Sequence, residues 1–253
     1  MVKFAKVVFS FLVLSQLSFG LWGCGLNMQT HYAKLRPHLV ERDFDAANTF
    51  LDDSKVSFYQ SEKNRLLFYL NKGMVLHLGG NFRESNAFLE QAEETSKALW
   101  TESVTEHIGA ALNTDNALSY AGEDFERILI YFFRALNFIG MGNLESARSQ
   151  ARKITNELEH YNQSYREGEK NLHRDDGFAR WLSGKLLETE GGFAAFNDAW
   201  IDYRKAIAVY EQDYEPLYGT RLPKFVIQDA LRVLEAMGND FNQEFEELRQ
   251  RYP

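Results

Sequence analysis

Apolar residues recur at steps of three and four along most of this chain. Phe125, Ile128, Leu129, Phe132, Leu136 and Ile139 mark one face of a helix, and Leu144, Ala147, Ala151, Ile154 and Leu158 mark another. Tyr131, Phe133 and Phe138 add bulk on the other faces of the first, so that helix is expected to be buried on most sides. Alternating strand patterns are absent, and only four prolines occur, at 37, 216, 223 and 253. From residue 30 onward the pattern predicts an all-α fold.

The helices repeat. LGGNFRESNAFLEQA (78–92) and GMGNLESARSQARKI (140–154) share a glycine-asparagine turn, a following aromatic or leucine, and small residues at helical spacing. Each follows an apolar helix, NRLLFYLNKGMVLHL (64–78) or FERILIYFFRALNFI (125–139). The turn glycines Gly80 and Gly142 are expected to stop one helix with a positive φ. This resembles the tetratricopeptide repeat, two antiparallel helices joined by a tight turn. In that resemblance Gly73, Ser85 and Ala92 match the small positions of one copy, and Ala135 and Ala147 those of another. Weaker copies flank these. ERDFDAANTFLDD (41–53) matches a turn and second helix without the glycine. Residues 178–210 carry Ala199, Tyr203 and Ala206 in step, with a turn, ETEGGFAAFN, about three residues longer than the repeat needs. The last copy turns at Gly238-Asn239 and ends in a charged segment suited to a capping helix.

The spacing is uneven. Phe44, Phe82 and Leu144 are equivalent, yet lie 38 and then 62 residues apart, where a regular array steps by about 34. Insertions are therefore expected at 103–124 and 160–177, serving either as a binding face or as spacers. The resemblance implies an α-α solenoid of roughly four to five helix pairs over residues 34–253.

The first 24 residues break the pattern. Lys3 and Lys6 precede an apolar run over 7–22, and Leu21-Trp22-Gly23-Cys24 ends it. A basic start, an apolar stretch and a small residue make a secretory signal, here 1–23. The run is roughly 16 residues, at or below the ~17–25 that span a bilayer as a helix. The four residues resemble the bacterial lipobox, with Trp22 standing where a small residue is usual. That resemblance implies cleavage before Cys24 and acylation of its thiol and amino group. The segment 24–33 would then be a lipid-anchored linker. Gly25 replaces the aspartate that retains such proteins in the inner membrane, so the expected address is the outer membrane, facing the periplasm. An uncleaved helical anchor over 4–22 is the rival reading, and a buried core thiol at Cys24 the bland one.

Charge narrows the partners. The formal net charge is −8, and loss of Lys3 and Lys6 would take it to −10, which disfavours a nucleic-acid partner. Cys24 is the only cysteine, so the fold is expected to stand on its core without a disulfide. The whole pattern, through SYAGEDFER, ALNFIGMGNLESAR, DDGFARWLSGKL and AWIDYRKA, resembles a little-characterised group of bacterial tetratricopeptide-like lipoproteins with no established enzymatic activity.

Candidate chemistry is sparse. The six histidines form no metal-binding pair, and no nucleophile elbow, phosphate loop or dinucleotide fingerprint occurs; no catalytic residue, cofactor or metal is expected. The most pointed sequence is SYAGEDFER (119–127). Its acids read first as a helix start, in which Asp124 or a neighbour caps free amides. The sharper reading is a partner-binding point made by Tyr120, Gly122, Glu123 and Asp124, with Arg127 orienting the carboxylates. Asp175 and Asp176 precede FARWLSGKL in the same way, as caps or as part of one acidic patch. Trp181, Trp200, Tyr203 and Tyr210 read as core, with a glycan-stacking platform as the alternative. The expectation is a scaffold or accessory subunit that binds envelope proteins and touches the membrane through its N-terminal lipid. The rival is a glycan-binding protein or enzyme with an acidic and aromatic cleft.

Overall fold

A three-residue turn joins the helices of each of the first hairpins. The computed structural model describes residues 28–60, 64–106, 120, 122–164 and 175–253. The expected signal 1–23, Cys24 and most of both expected insertions lie outside these residues. The described chain is helical with no strand, and its helices pack in consecutive pairs, the helical-repeat architecture. It divides into two compact units, one ending at Gln60 and one beginning at Ser61.

The first unit holds helices α1 (Met28–Val40) and α2 (Phe44–Asp53). Helical structure thus begins within the span expected as a linker. The Asp43 side chain accepts from the Ala46 amide at 3.0 Å and caps α2. This pair lacks the turn glycine, and Arg42 takes the left-handed place at φ 59°. His31 is buried, stacked on Phe58 at 4.0 Å between ring centres and 2.8 Å from the Tyr59 hydroxyl. Burial, then the nearby Lys34 charge, lowers its pKa from the ordinary 6.5. The unfolded chain therefore takes up the His31 proton first, and this unit is expected to lose stability as pH falls below 6.5. The slope is at most about 1.4 kcal/mol per pH unit, the limit for one proton. Hydrogen exchange of α1 and α2 amides, corrected for intrinsic rates, should show it, and His31→Phe should flatten it.

The second unit continues with α3 (Arg65–Leu78), α4 (Phe82–Glu106), α5 (Asp124–Gly140), α6 (Leu144–Ser164), α7 (Gly177–Glu188) and α8 (Gly192–Val209). A π-turn (Tyr210–Tyr214), short α9 (Glu215–Tyr218), α10 (Lys224–Met237), a 3-10 turn (Gly238–Phe241) and α11 (Asn242–Arg251) complete it. The hairpins are α3/α4, α5/α6, α7/α8 and α10/α11; α4 packs on α5, α6 on α7, and α8 on α10. Phe82 and Leu144 begin second helices, as their equivalence predicts. Gly80 and Gly142 sit at φ 78° and 73°, a region a side chain would strain. The α7–α8 turn differs from expectation. It is Thr189–Gly191, as short as the other two, because Phe193, Ala194 and Ala195 form the first turn of α8 rather than extra loop. The insertions begin as helix: α4 continues to Glu106 and α6 to Ser164.

Small residues set the helix spacing. Ser85, Ala92, Ala135, Ala147, Ala151, Ala199 and Ala206 are all fully buried, letting backbones approach while Ile154, Leu158, Leu186, Val226 and Leu234 fill the gaps. The Ser85 hydroxyl donates to the Gly73 carbonyl at 2.7 Å and so ties α4 to α3. Among the described residues no helix is long and apolar enough to cross a membrane.

Candidate functional site

The acidic helix starts are occupied by the fold itself. Glu123 is the residue preceding α5, and its amide donates to the Glu126 carboxylate at 3.0 Å, half of a capping box. The Tyr120 hydroxyl donates to the same Glu126 carboxylate. Burial, then this carboxylate, raises the Tyr120 pKa. Asp124 is the first residue of α5 and is buried; the cap is its neighbour Glu123. Gly122 holds φ 85°, turning the chain into the helix. Arg127 is buried and lies over the Tyr161 ring at 5.5 Å.

The second start follows the same logic. Asp176 accepts from the Phe178 and Ala179 amides at 2.9 and 2.8 Å and caps α7. Asp175 grips Arg180, accepting from Nε at 2.9 Å and Nη2 at 3.2 Å. Arg180 is 0% exposed and also donates to Glu159 at 3.0 Å and Asp202 at 3.2 Å. Thr155 donates to Asp202 at 2.8 Å and meets Ser183 at 2.9 Å. Burial opposes charge on both Arg180 and Asp202. The carboxylates outweigh it at the guanidinium, whose pKa rises; at Asp202 burial prevails over Arg180 and the hydroxyls, and its pKa also rises. The expected partner-binding residues thus fall into two clusters. Tyr120 and Glu123 gather at one helix start, Asp175 and Asp176 at the other, and both arginines reach toward the end of α6.

The surface that the sequence did not mark is aromatic. Phe133 and Phe132 on α5 lie 5.3 Å apart between ring centres, Phe132 lies 5.7 Å from Phe178, Phe178 5.1 Å from Trp181, and Trp181 4.7 Å from Phe225. This row crosses the first helices of three successive pairs, α5, α7 and α10. At its α5 end Phe133 joins a cleft of about 200 Å³ between α3 and α5, lined also by Leu70, Asn71, Met74 and Leu129. Phe178 and Phe225 are 41% and 39% exposed, far more than a core position needs. Trp200, Tyr203 and Tyr210 are core, as expected, but Trp181 is only half-buried and belongs to this row. Its indole donates to Asp229 at 2.8 Å, and Lys185 reaches the same carboxylate at 2.9 Å. Burial would raise the Asp229 pKa, but the indole, Lys185 and Arg232 outweigh it and hold the pKa below the ordinary value. The signal was present: Leu129, Phe178 and Phe225 hold equivalent places in their helices, each outside the small-residue face.

A second depression, of about 420 Å³, lies between α8 and α11 beside Trp200, Arg204, Glu211, Glu247 and Arg251. Arg251 pairs with Glu211 at 2.6 Å. Glu123, Asp124, Asp175 and Asp176 line neither depression.

No protein-family model matches the chain, and no curated protein matches it. The class that the fold and this surface define is an all-α helical-repeat protein with an aromatic row across its first helices.

Proposed function

We propose that the protein is an outer-membrane lipoprotein whose helical repeats act as a protein–protein interaction scaffold, or as an accessory subunit, in a cell-envelope assembly. The observation that carries the binding role is the continuous row from the α3/α5 cleft through Phe132, Phe178 and Trp181 to Phe225. Phe132 is the buried link of this row, and Phe178, Trp181 and Phe225 are its surface part; exposed aromatic side chains of this kind dominate protein interfaces, and a patch across successive helices suits a helix or extended segment of a partner. The acidic helix starts play a supporting part: they cap and brace α5 and α7 and thereby fix Phe132 and Phe178. The address rests on Leu21-Trp22-Gly23-Cys24 and on Gly25. Acyl chains on Cys24 would keep the protein at the membrane at about 0.8 kcal/mol per buried methylene, so modest affinity for a partner would suffice.

A glycan-binding or enzymatic role would draw on the α8/α11 depression, where Trp200 sits with Glu211 and Glu247. The pairing of Glu211 with Arg251 and Tyr252 favours a structural use of that carboxylate.

The test is crosslinking in intact cells combined with the mass of the membrane-extracted protein. A mature chain beginning at acylated Cys24 is expected, with one envelope protein captured. Phe178→Asp with Phe225→Asp should lower that capture about tenfold or more, while helix content by circular dichroism stays unchanged. Undiminished capture would remove the row from the binding role. An unacylated chain would remove the address.

A further inference from the structure

The first acidic residue of the chain is Glu41, so every acid–base charge on residues 1–40 is basic: Lys3, Lys6, Lys34 and Arg36, beside the titratable His31 and His38. Lys34 and Arg36 lie on α1, and both are exposed. Helical residues turn by about 100° each, so these two stand about 200° apart. They flank an outer face made of Ala33, Pro37 and Val40, all exposed, while His31 and Leu35 on the inner face are buried. Acids take over where α1 ends. Glu41 and Asp43 stand on either side of Arg42 in the turn, and α2 exposes Asp45, Asp52 and Asp53, with Lys55 following. Within the first unit α1 is thus acid-free and basic, and α2 is acidic.

Exposure alone does not select what α1 meets, since Val56 beyond α2 is 74% exposed and Val40 71%. The length of chain before α1 does. Met28 is four residues after Cys24, about 14 Å at full extension. An anchor kept as a helix would end at Trp22, only two residues farther back. No other described helix begins so near the expected anchor. Over a Debye length, about 8 Å at physiological ionic strength, anionic headgroups draw in exposed basic groups. Each such group strengthens the contact about fivefold. The long stems of Lys34 and Arg36 let their charged ends reach headgroups from both sides of the face between them. The carboxylates of α2 would be repelled by the same layer.

We infer that the outer face of α1, flanked by Lys34 and Arg36, lies along the anionic headgroups of the bilayer and turns the acidic α2 away from them. The inference rests on the membrane attachment proposed above and says which surface of the first unit that attachment brings to the lipid. Two basic side chains bind a free bilayer poorly. Held within a few residues of an anchor they act at high local concentration, and a weak contact then suffices to set the orientation.

The experiment uses the full membrane-extracted chain in phosphatidylethanolamine/phosphatidylglycerol vesicles that carry a nitroxide quencher on the headgroup. A fluorophore is placed at Ala33→Cys, in a second protein at Val40→Cys, and in a third on the exposed side of α2, at Thr49→Cys. The parent chain corrects for any free Cys24 thiol. The probes at 33 and 40 should both be quenched about twofold or more and that at 49 much less, because the contact is confined to the headgroup layer. Lys34→Glu with Arg36→Glu should bring all three to the level of 49 at unchanged helix content, and so should replacing phosphatidylglycerol with a neutral lipid. Quenching at 33 but not at 40 would mean that α1 stands upright, and equal quenching at all three sites that the unit has no fixed orientation; either overturns the inference. So does quenching that survives both the charge reversal and the neutral lipid, or a probe at 33 shielded from water without vesicles, where protein would cover the face. Flotation of the same samples reports attachment separately. A chain that floats with unquenched probes loses this inference and keeps its anchor; one that does not float loses both.

Discussion

Replacing Arg180 by methionine is expected to destabilise the second unit by about 3–5 kcal/mol, the scale for removing one partner of a buried ion pair. The loss is unevenly felt by the carboxylates left behind. The Asp175 and Glu159 side chains are 12% and 37% exposed and can turn to water, whereas Asp202 is 1% exposed and cannot. Most of the effect should therefore pass through Asp202. Adding Asp202→Asn, which keeps an acceptor for Thr155 but removes the charge, should recover more than about 1 kcal/mol. Urea midpoints of the parent, both single variants and the double variant measure this. The pH dependence carries a sign. Burial already holds the Asp202 pKa above the ordinary 3.8; without the guanidinium it rises further. A group whose pKa is raised on folding binds its proton more readily when folded, so its contribution is most favourable at low pH. The deficit of Arg180→Met should accordingly shrink as pH falls toward the carboxylate range. A deficit that does not change with pH, and no recovery from Asp202→Asn, would mean that the guanidinium acts only by filling space.

Gly184→Leu is expected to destabilise the α7/α8 hairpin by about 3 kcal/mol, at the upper end of overpacking penalties. A Cβ at this position would lie 2.7 and 2.9 Å from the Tyr203 ring and 3.0 Å from the Ala199 carbonyl. The ring has no ready retreat: Tyr203 is fully buried, and its hydroxyl donates to Glu188 at 2.8 Å. Leucine is a better helix former than glycine by roughly 1 kcal/mol or less, too little to offset the clash. Thermal unfolding should show the loss, and Tyr203→Leu should relieve part of it by removing the ring. A Gly184→Leu protein as stable as the parent would mean that the two helices are free to separate.

The hairpins were legible because their signals are local. A short turn (glycine-asparagine before α4 and α6, Arg42-Asp43 before α2), a leucine or aromatic after it, and small residues at helical spacing are contiguous in sequence, and they located the starts of α2, α4 and α6. The α7–α8 turn was misjudged because Gly191 and Gly192 read as loop, yet Gly192 already begins α8. The acidic starts were legible as caps: Asp124's neighbour Glu123 caps α5, and Asp176 caps α7. The ion network around Arg180 joins residues up to 47 positions apart in its Thr155–Asp202 link, beyond any local pattern. One trace was there: Asp202 lies three residues after Ala199 and four before Ala206, a charge on the small-residue face. The aromatic row was hidden for the opposite reason. Leu129, Phe178 and Phe225 do hold equivalent places outside the small-residue face, but apolar residues there read like any core residue, and only the stacking of separate hairpins leaves Phe178 and Phe225 exposed while Phe132 is buried.

The polar contacts between successive hairpins differ from one boundary to the next. Glu93 on α4 meets Arg134 on α5 and Lys153 on α6. Thr155 on α6 meets Ser183 on α7 and Asp202 on α8. Trp181 and Lys185 on α7 meet Asp229 on α10. These hairpins are consequently not interchangeable parts. An array joined only by alanine and leucine could gain or lose a unit by duplication or deletion and re-seal. Here a chain rearranged in that way would place a buried charge opposite a neighbour that cannot answer it, so the length and order of the array are written into its seams.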